Sequence, residues 1–179
     1  MKNSKNMNEV CYPFIHDSGY LCDFEVITDE LCTQVGMAWS CMSDEFCDIK
    51  ADLQWIQPLI FHINGSIRAR LAITESDLQQ VEECFQKYLS SIPPLKHAFI
   101  LPQGTTPVPQ LHLCRSNAKK AIRAMVRVEE EGRAVPDILP RLCNLLCNLF
   151  FIMTVVVNHR RGVTEIPFQS KSYGPLVKS

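Results

Sequence analysis

The chain is poor in glycine, with seven in 179 residues, and it has few runs in which apolar and polar residues alternate. Both shortages argue against strands and for a helical fold. Neither GxxxxGK[ST] nor GxGxxG occurs, which counts against a P-loop or a Rossmann nucleotide site. There is no CxxC pair: the nine cysteines are odd in number and scattered, and the polar start MKNSKNMNEV does not read as a signal peptide. The expectation is free, half-buried thiols in a reducing cytoplasm. No Ser/His/Asp or Cys/His set stands out, and His16, His62, His97, His112 and His159 are isolated, so each reads as packing or surface. Excess charge is missing too. A net charge of −1 and a pI near 6.5 give no general attraction to nucleic acid or membrane. There are no internal repeats.

What is present is helix. At 46% hydrophobic and 21% charged, the composition is that of an ordinary globular domain with room for a sizeable core. Residues 1–20 are polar and irregular and read as a flexible arm, residues 21–168 as one helical domain, and residues 169–179 as a tail. A first helix is expected from an N-cap at Thr28, with Asp29 and Glu30 at its positive end and Leu31, Val35, Ala38, Trp39 and Met42 as its stripe. After an acidic break at 44–51, a second helix over about 51–70 turns Leu53, Ile56, Leu59, Ile60, Ile63 and Ile67 inward. Pro58 either kinks it or marks its first turn. The box Thr74-x-x-Asp77 opens a third, which stops before Pro93-Pro94. The proline-rich connection 97–110 leads into a fourth helix, and Gly132 ends it. The last helix, about 137–158, is apolar nearly all round and belongs in the centre of a bundle. Its apolar run looks short for a membrane span, and Asn144 and Asn148 interrupt it. Those two amides, one turn apart on a buried helix, need partners. Cys143 and Cys147 share that spacing and read as core. After Gly162 a short extended piece is expected. The simplest architecture is an all-α, up-and-down bundle.

The fourth helix carries the chemistry. Wound at about 100° per residue, residues 111–128 place Leu111, Cys114, Ala118, Ala121, Ile122, Met125 and Val128 on one arc. Arg115, Lys119, Lys120, Arg123 and Arg127 fall on the other, with no carboxylate before Glu129. Such a face is either solvated or built to meet a polyphosphate or an acidic partner.

These stretches resemble a family. Residues 99–123, FILPQGTTPVPQLHLCRSNAKKAIR, are similar to the segment of PduO-type ATP:cob(I)alamin adenosyltransferases that reads roughly F-x-LPGG…LH-x-(A/C)-R-x-x-x-R-R-A-E-R. Residues 144–158 resemble its NRLSDLLF…N helix, residues 27–39 its DELN-x-x-IG helix, and Gly162, Glu165 and Ile166 its G-x-x-E-I ending. The resemblance implies a five-helix bundle, a homotrimer with sites between subunits, and ATP and cob(I)alamin as substrates, with Mg possible. By position it implies that Arg115 pairs with Asp29 across the interface. Lys119, Lys120 and Arg123 fall at the phosphates, Asn144 and Asn148 beside the nucleotide, and Phe99 where an aromatic displaces cobalamin's lower axial ligand. Five features depart from the pattern. No TGDxGxT stretch precedes Asp29, Ile122 stands at a glutamate position, Lys119 and Lys120 replace arginines, Leu145 and Asn148 replace an arginine and an aspartate, and LPGG has become Leu101-Pro102-Gln103-Gly104. The resulting expectation is adenosyl transfer. The alternatives are a family-fold protein that binds a corrinoid or anion without turnover, or serves as a structural subunit, and a generic helical interaction module.

Overall fold

The computed structural model describes residues 3–95 and 99–172. His97 and the end of the expected tail, 173–179, lie outside the described residues. Five α-helices carry the described chain: α1 (Tyr20–Ser40), α2 (Cys47–Gly65), α3 (Glu75–Leu89), α4 (Val108–Glu130) and α5 (Ile138–Arg160). Helix α1 packs between α2 and α4, α4 between α1 and α5, and α5 between α4 and α3. Tyr88 of α3 closes the ring, donating its hydroxyl to Asp52 of α2 at 2.5 Å. The result is the expected all-α five-helix bundle.

The stripes go where their periodicity sends them. Leu53, Ile56, Leu59, Ile60, Ile63 and Ile67 of the α2 region are buried, as are Leu111, Cys114, Ala118, Ala121, Met125 and Val128 of α4; Ile122 is half-buried. The Thr74 box caps α3 as expected: the Asp77 carboxylate accepts from the Thr74 backbone N–H at 2.8 Å, and the Thr74 hydroxyl accepts from the Asp77 N–H. Gly132, at φ +84°, ends α4, and the N–H of Arg133 reaches back to the Val128 carbonyl. The expected extended piece forms a bridge to the segment before α4, with Leu101 N–H donating to Ile166 O and Phe168 N–H to Phe99 O.

Other expectations are corrected. Helix α1 starts at Tyr20, not after Thr28, because its first N–H is satisfied by a distant side chain, the Glu131 carboxylate at 2.8 Å. Thr28 is buried in mid-helix, where its hydroxyl donates to the Phe24 carbonyl. Asp29 and Glu30 therefore sit in the middle of α1, away from its positive end. Trp39 leaves the stripe: it is half-exposed beneath the Lys50 ammonium. Helix α2 begins at Cys47, anchored by buried Phe46 and Ile49, and Pro58 lies in its interior rather than its first turn. Helix α5 is long and apolar enough, at 23 residues and a mean hydropathy of 1.7, to cross a membrane, so run length does not decide the matter. Two-thirds of that window is buried in the bundle, which accounts for its apolarity without a lipid. Asn144 and Asn148 are exposed rather than buried, and Asn144 donates to its own helix at the Pro140 carbonyl.

Candidate active site

Helix α4 is the floor on which the site is built. Of its five cations none joins an ion pair among the described residues; the six pairs there use Arg68, Lys87, Arg141, Arg160 and Arg161. Lys119, Lys120, Arg123 and Arg127 form one bank of an open groove of about 630 Å³. Asp23, Val26 and Ile27 of α1 form the other bank, and Ile15, Asp17 and Tyr20 also line it. Arg127 lies over the Tyr20 ring at 5.1 Å. A field of this sign in a concave, partly apolar setting collects anions.

Arg115 faces the opposite shoulder of α4. Its guanidinium lies 5.7 Å from the Phe151 ring centroid on α5, and its Nε is buried without a hydrogen-bond partner. Lys119 stands on the crest between the two sides: it lines the groove, and together with Arg115 it pulls on the Cys147 thiol, whose pKa burial nevertheless raises. The cationic arc is thus divided by the helix itself, and Arg115 is not in the groove.

One turn before Arg115 lies a histidine that the sequence reads as packing or surface. His112 is 5% exposed, and neither ring nitrogen has a partner. Burial, and then the Arg115 charge, push its pKa down to about 4, so the ring is neutral at pH 7. Its signal in the sequence was weak: a histidine between Leu111 and Leu113 reads as packing. Asn117 and Asn158 are also buried with unpartnered amide atoms.

The remaining expected site residues are dispersed within the chain. Asp29 is exposed on α1 and makes no ion pair with Arg115 of its own chain. Asn144 and Asn148 are exposed on α5. Phe99 is 61% exposed on the extended bridge, where Phe168 and Ile166 are also half-exposed. The structure therefore brings Lys119, Lys120 and Arg123 together, sets Arg115 over the shoulder, and leaves Asp29, Asn144, Asn148 and Phe99 outside the groove. All nine cysteines are free, Cys143 and Cys147 lie in the core, and no group of three His, Cys, Asp or Glu side chains that could hold a metal occurs among the described residues.

Fold and groove together define an all-α five-helix bundle with a groove banked by cations. The sequence profile described as cobalamin adenosyltransferase matches residues 26–157. The corrinoid adenosyltransferase of Bacillus subtilis (strain 168) is 30% identical over 148 residues, covering 79% of this chain and 76% of that protein. The human corrinoid adenosyltransferase MMAB is 30% identical over 155 residues, covering 79% and 61%. Among solved structures, a variant PduO-type ATP:corrinoid adenosyltransferase from Lactobacillus reuteri, complexed with cobalamin and ATP, shares the fold at a TM-score of 0.77. It is 21% identical, and the match covers 92% of each chain. The chain belongs to the cobalamin adenosyltransferase family.

Proposed function

We propose that this protein transfers the 5′-deoxyadenosyl group of ATP to cob(I)alamin. The observation that carries the reading is the groove: four cations that join no ion pair among the described residues line one cavity and outnumber its two carboxylates, Asp17 and Asp23, in a chain of this family. A named relative is a corrinoid adenosyltransferase, and a structural neighbour is complexed with both cobalamin and ATP.

In the step, the electron pair on cobalt attacks C5′ of ATP. A cobalt–carbon bond forms, the C5′–O bond breaks, and triphosphate leaves with that bond's electrons. No proton need move in the displacement. The chain's own work is therefore to position the reactants and to neutralise the leaving group. Lys119, Lys120 and Arg123 take the phosphates; lysine at the first two supplies charge without arginine's fork. Exposed Asp29 and unpaired Arg115 fit a homotrimer in which Arg115 meets the partner subunit's Asp29 and is aimed at the nucleotide. Exposed Asn144 and Asn148 offer amides to the same ligand. Phe99, in its apolar patch, covers the lower face of the cobalt. We assign residues 21–168 to this domain, with 169–179 as a tail and 1–20 as an arm whose end is tied to the bundle, through Asp17 to Arg68 and through Tyr20, the first residue of α1, to Glu131. We place the protein in the cytoplasm because all nine of its thiols are free.

A second reading, a corrinoid- or anion-binding subunit without turnover, is favoured by Ile122, an apolar half-buried side chain where the resemblance expects a glutamate. One experiment separates the two. Incubation with cob(I)alamin and ATP yields adenosylcobalamin, followed by its visible spectrum, and Arg115→Ala slows it by about 10²-fold. Binding of both substrates with no product establishes the second reading instead.

A further inference from the structure

The chain before α4 and the chain after α5 meet in a short ribbon. Leu101 N–H donates to Ile166 O at 2.8 Å, and Phe168 N–H donates to Phe99 O at 3.0 Å. Ile100 and Pro167 lie opposite each other between those bonds. That pair needs no N–H of its own, so the proline costs the ribbon nothing. Side chains alternate along a strand, and directly opposed residues point to the same face. Phe99, Leu101, Ile166 and Phe168 therefore share one apolar face. Phe99, Ile166 and Phe168 are exposed on it.

Two hydrogen bonds do not hold such a ribbon in place, because an isolated strand pair is marginal in water. Its position is set where its strands join the bundle, and both join at Arg161. The Arg161 guanidinium lies over the ring of fully buried Phe46 at 4.8 Å. It donates to the Glu45 carboxylate and, at 3.3 Å, to the Ser43 hydroxyl. It also donates to the Thr105 hydroxyl at 2.9 Å and to the Thr106 carbonyl at 2.5 Å. One strand thus enters α4 through residues that Arg161 holds. The other leaves α5 at Arg161 itself, the C-cap of that helix. Between Phe99 and Thr105 the chain also rests on α5: a Cβ on Gly104 would lie 2.7 Å from the Asn158 Oδ1. Neighbouring Arg160 does different work. It grips Asp48 of α2 with two bonds of 2.8 and 2.7 Å, and no bond from it to residues 99–107 occurs among the described residues.

We propose that Arg161 is a positioning residue: by clasping residues 105–106 to the buried Phe46 it fixes the apolar face of the ribbon, and with it Phe99, against the corrinoid. The proposal rests on the reading that Phe99 covers the lower face of the cobalt. Phe99 contacts the ligand, and Arg161 acts through the ribbon without touching it. Charge-assisted bonds suit that task, being stronger and shorter than neutral ones.

The visible spectrum of cob(II)alamin, added to the full chain with ATP, tests it by reporting whether the cobalt keeps its lower ligand. The wild type strips that ligand, and Phe99→Ala impairs the stripping. Arg161→Ala shifts the same equilibrium towards the ligated form by about tenfold, the worth of one charge-assisted hydrogen bond. Calorimetry finds ATP affinity within about twofold of the wild type, as for a distant substitution. Arg161→Lys, which keeps a charge without the fork, falls between the two. Arg160→Ala is the control for stability: it lowers the unfolding midpoint, as Arg161→Ala does, and leaves the spectrum unchanged. A wild-type spectrum in Arg161→Lys, or in Arg161→Ala where it folds, overturns the clasp while an effect of Phe99→Ala keeps the Phe99 reading standing. An equal spectral loss in Arg160→Ala also overturns it, by showing that stability alone is at work. A wild-type spectrum in Phe99→Ala overturns the Phe99 reading, and the clasp with it.

Discussion

Buried, unpartnered His112 makes the stability of this protein sensitive to mild acid. In the fold its pKa is pushed down to about 4, while in the unfolded chain it returns to about 6.5. Between these values the unfolded state binds the extra proton. Stability that is fully present above pH 6.5 is therefore lost as pH falls, and the loss is complete below about pH 4. The whole effect is about 3 kcal/mol, of which about 2 kcal/mol is felt by pH 5, a large share of the ~5–15 kcal/mol that holds a domain together. His112→Leu removes the proton site and the two unpartnered nitrogens together. Urea denaturation of both proteins at pH 7, 6 and 5 reads the difference. Paired carboxylates such as Asp48, which Arg160 holds below its usual range, weaken both proteins alike and cancel. The expected result is a variant at least as stable as the wild type at pH 7, with an advantage that grows by about 2 kcal/mol towards pH 5. Parallel curves, or a His112 ring that titrates near 6.5 by NMR, refute the reasoning. The same neutrality matters for the site, because it keeps a second positive charge from Arg115.

Other expectations address the groove and the frame around it. Lys119→Ala and Lys120→Ala each weaken triphosphate binding about fivefold at low salt and less at high salt; calorimetry across a salt series checks this, and an affinity indifferent to salt removes the groove from consideration. Gly104→Ala places a Cβ 2.7 Å from the Asn158 Oδ1 and 2.9 Å from Val108, at φ +154°. A loss of about 1–3 kcal/mol follows, visible as a lowered melting temperature, and an unchanged one contradicts that packing. Thr74→Ala breaks the α3 cap at a cost of about 1 kcal/mol, with faster amide exchange confined to the first turn of α3.

The sequence alone settled whatever depends on neighbours three or four residues apart. Apolar spacing fixed which side of α2 and α4 is core, the Thr74 box fixed where α3 starts, and Gly132 fixed where α4 stops, because each is a local matter of hydrogen bonds and torsions. The order of short motifs also pointed to the family. Tertiary structure decided the rest. The start of α1 depends on a carboxylate 111 residues away, so local capping rules placed it at Thr28 and wrongly set Asp29 at a helix end. On α5, apolar nearly all round, periodicity could not say which amides meet solvent, and only the packing of its neighbours left Asn144 and Asn148 exposed. Arg115 and Lys120 share one arc in the sequence, yet α5 and α1 take opposite shoulders of α4 and separate them. The groove exists because a stretch before α1 is tied by Arg68 against the far half of α4, and a cavity between segments a hundred residues apart leaves no trace in local pattern.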